Sequence, residues 1–196
     1  MSEVTRMPVA SKSYVGLDLS LSSTGICLKT GSEIRVETIK SKPDTAENDL
    51  ARLKYIVAEI MRRIPKSVSM ICVEDFFTPG NAQQVGAAIK LAMLGTAMRL
   101  ALWEAGMPFF VVSPNSLKKY ILQTGKGQKS LIIMAVYRRW GFEVKDDNQA
   151  DGCVLAHIAE QLDYQFHGQK GSDQTKAQEE VIAKLVATKT ERGYNL

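Results

Sequence analysis

Three cysteines and two histidines are all the thiols and imidazoles that this 196-residue chain holds. Cys27, Cys72 and Cys153 lie far apart inside apolar stretches. Their spacing excludes a zinc framework, and an odd count argues against a disulfide scaffold. They read as small buried hydrophobes of a reducing compartment, and a cytoplasmic location is the expectation. No uninterrupted apolar run reaches the ~18 residues of a membrane span, so no membrane partner is expected. The longest candidate, Leu91 to Trp103, is broken by Gly95 and Arg99. Residues 1–12 lack an apolar segment and read as a flexible arm, not a secretory leader. The last scarcity is one of charge sign. Between Phe76 and Phe142 the only acid is Glu104, against Lys90, Arg99, Lys118, Lys119, Lys126, Lys129, Arg138 and Arg139. Eight cations against one acid give that stretch +7, more than the +4 of the whole chain. A positive middle suits a polyanion, although a solvated basic face would give the same count.

The remaining composition is ordinary for a globular domain, with 45% hydrophobic and 23% charged residues. Tyr14 to Leu19 and Thr24 to Thr30 read as strands, and Gly31-Ser32 as a hairpin turn into a third strand, Ile34 to Ile39. A helix of roughly Glu47 to Arg63 follows, with Leu50, Leu53, Ile56, Val57 and Ile60 on one face, and Pro65 ends it. Val68 to Glu74 is nearly all apolar and reads as a central strand buried on both faces. Gly80-Asn81 opens a long helix to about Ala105. It is rich in alanine and glycine, which allows close approach by another helix, within the domain or across a dimer. Strand Phe109 to Val112, a short helix from Pro114 to near Leu122, a basic loop Gln123 to Gln128 and a helix Lys129 to Trp140 complete the middle. The last core helix is expected from Asn148 to Tyr164, and an amphipathic one from Gln174 to Thr188, using Val181, Ile182, Leu185 and Val186. The order implies an α/β fold, a mixed sheet flanked by helices, with a main domain over 13–167 and a helical tail over 168–196.

Four carboxylates sit at the ends of these elements: Asp18, Glu74, Asp147 and Asp151. Acids emerging from apolar strands repel one another if the fold gathers them, unless a cation joins them. Hard oxygen ligands of that kind suit Mg²⁺ or Mn²⁺. Metal-dependent phosphodiester chemistry is the reading this supports. Asp147 also suits a helix N-cap, and Asp151 a charge favoured by a helix dipole. His157, on the last core helix, reads as packing or surface.

Gly16-Leu-Asp-Leu-Ser-Leu-Ser-Ser-Thr-Gly25, Val73-Glu74, Lys118, Gly125-Lys-Gly-Gln-Lys-Ser130 and Asn148-Gln-Ala-Asp151 occur in that order. Together they resemble the RuvC family of Holliday-junction resolvases, within the RNase H-like superfamily, in a compact form closer to its phage or virus-type members. The resemblance implies an RNase H-like five-stranded mixed sheet and a symmetric dimer that nicks two opposing strands of a four-way DNA junction. It implies two Mg²⁺ ions per site, with Mn²⁺ able to substitute. Asp18 would be the bridging carboxylate, with Glu74 and Asp151 completing the shell. A fourth ligand is usual three residues before the last aspartate. Here that place holds Asn148, which offers an amide oxygen without charge; Asp147 beside it is the alternative. Lys118 and Lys129 match basic positions near the scissile phosphate. Lys90, Lys119, Lys126, Arg138 and Arg139 are candidate DNA contacts, and Phe76 and Phe77 candidate wedges at the junction centre.

Three other readings compete. One is a nuclease of this fold with relaxed specificity for forks and flaps. Another is a relative that binds junctions without cutting, for which Asn148 is the best support. The third, an actin-like or sugar-kinase ATPase, needs a second similar domain that this chain is too short to hold.

Overall fold

The computed structural model describes residues 11–42, 48–76, 84–169, 171 and 174–192. Strands β1 (Ser13–Asp18), β2 (Ser23–Thr30) and β3 (Glu33–Lys40) form the expected meander. Gly31 turns the β2–β3 hairpin at φ 58, a left-handed conformation that glycine adopts without steric cost. Helix α1 (Asp49–Arg63) leads to β4 (Val68–Glu74), then α2 (Val85–Glu104), β5 (Phe109–Val112), α3 (Pro114–Leu122), α4 (Lys129–Trp140), α5 (Asp147–Phe166) and α6 (Lys176–Arg192). The sheet has five strands in the order β3-β2-β1-β4-β5. The meander is antiparallel, whereas β1 pairs with β4, and β4 with β5, in parallel. This is the mixed RNase H-like sheet, in an α/β architecture.

Alternation along the strands splits the core into two layers. Val15, Leu17, Ile26, Ile71 and Val73 pack under α1 and α2. Tyr14, Cys27, Met70, Cys72, Phe110 and Val112 face α3, α4, α5 and α6. By the same alternation Gly16, Asp18 and Glu74 point to the α5 side. Helix α5 is the axis of that layer, and its residues from Gln149 to Glu160 are buried without a break. Val181, Ile182 and Leu185 of α6 join the same cluster. All three cysteines are buried and free.

Three expectations change. Leu50 is not on the buried face of α1; it is 68% exposed, and Leu53, Ile56 and Ile60 carry the packing. The cap of α5 is Asp146, whose carboxylate accepts from the Gln149 N–H, so Asp147 is the first helical residue and not the N-cap. Asp151 is thus the fifth residue of α5, past the first turn, which weakens a purely dipolar account of it. Finally, α2 is long and apolar enough to pass for a membrane span by length and composition. Its Leu94, Met98 and Leu102 are fully buried against the sheet, so it belongs to the globular core. The proposed opening of this helix at Gly80-Asn81 lies outside the described residues.

His157 is structural. Its ring stacks on Trp140 with centroids 3.6 Å apart, and its Nδ1 donates to the Cys153 carbonyl at 2.9 Å. Burial pushes its pKa down to about 4, assisted by the charges of Lys29 and Arg139 against a raising contribution from that hydrogen bond. The unfolded chain therefore binds a proton at higher pH than the folded one. Stability attributable to this site is present above the ordinary histidine range and drains away as pH falls towards 4. His157→Gln is expected to flatten the wild-type loss of stability between about pH 6.5 and 4, by up to about 3 kcal/mol. Urea denaturation series at several pH values check this; parallel curves for the two proteins would refute it.

Candidate active site

Strands β1 and β4 run parallel, with Leu17 beside Val73, so their next residues, Asp18 and Glu74, emerge together at the carboxyl end of the sheet. Ligands of α/β sheets gather at this end. The third acid comes from α5, which must lie very close to the strands to deliver it. Glycine makes that possible. A Cβ on Gly16 would fall 2.0 Å from the Gly152 carbonyl oxygen, and one on Gly25 would fall 2.1 Å from that of Asn148. Side chains also tie the start of α5 to the meander. Asn148 donates through Nδ2 to the Ser23 carbonyl at 2.7 Å, and Gln149 through Nε2 to Thr38 Oγ1 at 2.9 Å.

The result is a cluster in which one carboxylate oxygen from each of Asp18, Glu74 and Asp151 lies within 4.8 Å of the others. Asp18 and Asp151 are buried, and Glu74 is half-buried. Three carboxylates this close repel strongly where water is partly excluded, and a cation relieves that repulsion. All the donors are hard oxygens, so the set fits Mg²⁺ or Mn²⁺, and nothing in it favours a soft metal.

The acids line a cleft of about 400 Å³. Lys118 of α3 and Asn148 line it with them, while Leu91 and Gly95 of α2, Pro114, Leu117 and Ile132 form its apolar walls. Among the described residues of α5, Asn148 and Asp151 line the cleft and Asp147 does not. Ser20 and Asp75 also face it, two residues that sequence reasoning passed over. A polar turn directly after the first acid, and a second carboxylate beside the strand-end Glu74, were the available signals.

The other basic candidates are scattered. Lys119, next to Lys118, turns away and pairs with Glu180 of α6 at 2.7 Å. Lys90 pairs with Asp49 at 2.8 Å. Arg139 donates to Gln178 of α6, while Arg138 and Lys126 are exposed. Lys129 is the first residue of α4, and its side chain lies outside the described residues. Phe76 stands at the cleft rim, 37% exposed, whereas Phe77 lies outside the described residues.

The sequence profile for crossover junction endodeoxyribonuclease RuvC matches residues 14–168, the span from β1 to just past α5. The chain belongs to the RuvC family. A crossover junction endodeoxyribonuclease RuvC of Bartonella bacilliformis is 32% identical over 95 residues, which is 47% of this chain. That alignment spans 55% of the curated relative's length. The fold of Thermus thermophilus RuvC superposes with a TM-score of 0.60 at 20% identity, covering 80% of this chain and 97% of that one. The T. thermophilus RuvC bound to a Holliday junction substrate gives 0.58 at 19% identity, covering 80% and 96%. The yeast mitochondrial Holliday junction resolvase Ydc2 gives 0.51 at 12% identity, covering 95% and 85%. The RuvC fold therefore extends well beyond the stretch of recognisable identity.

Gly25→Ala tests the close approach on which the acid cluster depends. The added methyl must displace the α5 backbone, and the variant is expected to lose about 1–3 kcal/mol of stability, as overpacked cores do. An unchanged urea midpoint would mean that α5 is not pressed against β2.

Proposed function

We propose that this protein is a divalent-metal-dependent, structure-selective DNA endonuclease that resolves four-way junctions by paired nicks as a homodimer. The observation that carries the reading is the gathering of Asp18, Glu74 and Asp151 in one cleft. Membership of the RuvC family supports junctions as the substrate.

Asp18, Glu74 and Asp151 are the residues that would hold the ions, two per site, with Asn148 adding a neutral amide oxygen. Divalent ions bound to such a set acidify water and offset charge on a phosphoryl group. The chain's own contribution is positioning. The Asn148–Ser23 hydrogen bond fixes the asparagine's amide, so its oxygen is presented in one orientation. Lys118 places a fixed positive charge in the cleft wall, where it can oppose charge developing on the phosphate. A preorganised group of that kind contributes ~10²-fold or more to rate. Lys129, at the start of α4, is assigned the same task. Lys126 and Arg138, exposed on the surface, are assigned to phosphate contacts along the arms. Lys90, Lys119 and Arg139 would need to exchange their present partners to join them.

The apolar surface of α2 supports the homodimer reading. Val85, Ile89, Met93, Leu100 and Trp103 are all exposed, and with Thr96 they make one stripe at spacings of three and four. The stripe borders a groove of about 780 Å³ between α1 and α2, whose lining includes Leu50 and Val57. An apolar face of this extent marks an interaction surface, and a second copy of the same helix offers a matching one. A dimer also provides the two sites that paired nicking needs.

Asp18→Asn is expected to abolish cleavage of a labelled synthetic four-way junction in Mg²⁺ while leaving junction binding intact or slightly stronger. The metal shell loses a charge, but the basic surface remains. Binding that falls in step with cleavage would count against Asp18 as a ligand. Tight binding by the wild type without any cut, in Mg²⁺ or Mn²⁺, would favour a junction-binding protein instead. A second expectation concerns assembly. Met93→Glu places a charge on the apolar stripe and should convert the dimer to a monomer in sedimentation velocity, with little loss of fold because Met93 is already 43% exposed. An unaltered sedimentation coefficient would move the seam elsewhere.

A further inference from the structure

The β4–β5 ladder ends where the Asp75 N–H donates to the Val112 carbonyl at 2.8 Å. Phe76 is the first residue beyond it. It is 37% exposed and lines the edge of the carboxylate cleft. Among the described residues, one side chain of α2 lies over the face of its ring. The Arg99 guanidinium carbon lies 5.7 Å from the centroid of the Phe76 ring, within cation–π range. Its Nε donates to the Gly95 carbonyl one turn earlier at 3.0 Å, which fixes the plane of the group. Its Nη2 lies 4.0 Å from the Asp75 carboxylate.

Gly95 lies beside both groups: a Cβ there would come 3.4 Å from Arg99 Nη2 and 3.9 Å from Phe76 Cδ1, ordinary van der Waals contact. The ion pair itself is long and partly exposed, with 29% and 41% of the two side chains accessible. Pairs of that kind add little to stability. Of the three contacts made by Arg99, one meets the Phe76 ring and the other two, to Gly95 and Asp75, hold the guanidinium that meets it, which argues for placement of the ring. A lysine could not reproduce them, because it lacks the planar fork that donates to Gly95 while its carbon lies over the ring.

We propose that Arg99 is a positioning residue: it holds Phe76 at the rim of the acid cleft, where the ring stacks on an unpaired base at the branch point of the DNA. This rests on the reading of the cleft as a junction-cutting site. The role separates Arg99 from the basic residues that contact phosphate, because it acts through Phe76.

The test is a double-mutant cycle of Arg99→Ala, Phe76→Ala and the double variant, with Arg99→Lys as the conservative replacement. Each is read by junction cleavage and by fluorescence of 2-aminopurine at the branch point. Phe76→Ala and Arg99→Ala should each lower cleavage by about tenfold, and the double variant should be no worse than Phe76→Ala, the non-additivity of residues acting as a unit. The 2-aminopurine response should be lost in both single variants and only partly restored by lysine. Ring resonances of Phe76 in the DNA-free protein should shift in Arg99→Ala, while its urea midpoint stays near wild type. Losses that multiply in the double variant would make Arg99 an independent DNA contact and overturn the proposal. Unchanged Phe76 resonances would do the same. A wild type that neither binds nor cuts the junction would instead remove the functional reading, and with it the task given to Phe76.

Discussion

The site depends on how closely α5 lies on the sheet. A Cβ on Gly152 would make ordinary van der Waals contact, 3.6 Å from backbone atoms of Gly16, Gly25 and Cys27, whereas one on Gly16 or Gly25 would run into the α5 backbone. Glycines meet glycines at this crossing, and the helix backbone takes the place that side chains occupy elsewhere between helix and sheet. Asp151, one residue before Gly152, is thereby brought level with Asp18 and Glu74. Polar ties flank the contact. Asn148 and Gln149 anchor the start of α5, and Asp163 near its other end accepts from the Tyr14 hydroxyl at 2.9 Å. Gathering three carboxylates, two of them buried, works against folding, and a helix clamped along its length is what resists their separation.

The charge pattern illustrates the distance between a sequence window and a surface. Residues 76–142 carry a local excess of +7, which reads as a basic face. In three dimensions acids from outside the window enter it: Asp49 meets Lys90, Asp75 approaches Arg99, and Glu180 meets Lys119. Neighbouring residues on a helix diverge by about 100°, so Lys118 and Lys119 cannot serve one site. The first lines the cleft and the second braces α6. Among the described side chains, the basic region of the sequence thus divides into one cation that lines the cleft, several that hold elements together, and a remainder exposed to solvent.

Much of the fold was legible because its signals are local. Alternation gave the meander, the unbroken apolar run of β4 gave a central strand, and Ser113-Pro114 gave the start of α3, where Ser113 caps the helix. Asp18 and Glu74 could be placed at strand ends for the same reason. Less legible was whatever depends on a partner element. Leu50 fits the apolar face of α1 by periodicity, yet α2 crosses in such a way that it borders an open groove. Choosing between Asp146 and Asp147 as cap required the backbone, since two adjacent aspartates before a helix carry the same local signal. The close contact of Gly16 and Gly25 with α5 could not be derived from the motif containing them, because nothing in a strand sequence states which helix will cover it.

Helix α2 joins the remaining features. Its buried face, Leu94, Met98 and Leu102, fixes it to the sheet, while Leu91 and Gly95 form part of the cleft wall. Its exposed stripe, from Val85 to Trp103, is the surface assigned to the second subunit, and Arg99 lies between stripe and cleft. A helix used on three sides explains a composition that is apolar almost all round without being mostly buried. It also has a mechanical consequence. Paired nicks need two clefts held at a fixed separation and orientation, and a flexible tether would not supply that. If the seam runs along α2, the element that sets the spacing is the one that forms the cleft wall and steers Phe76. A change in how the subunits meet would then be felt at the rim of each site, directly through a single rigid helix.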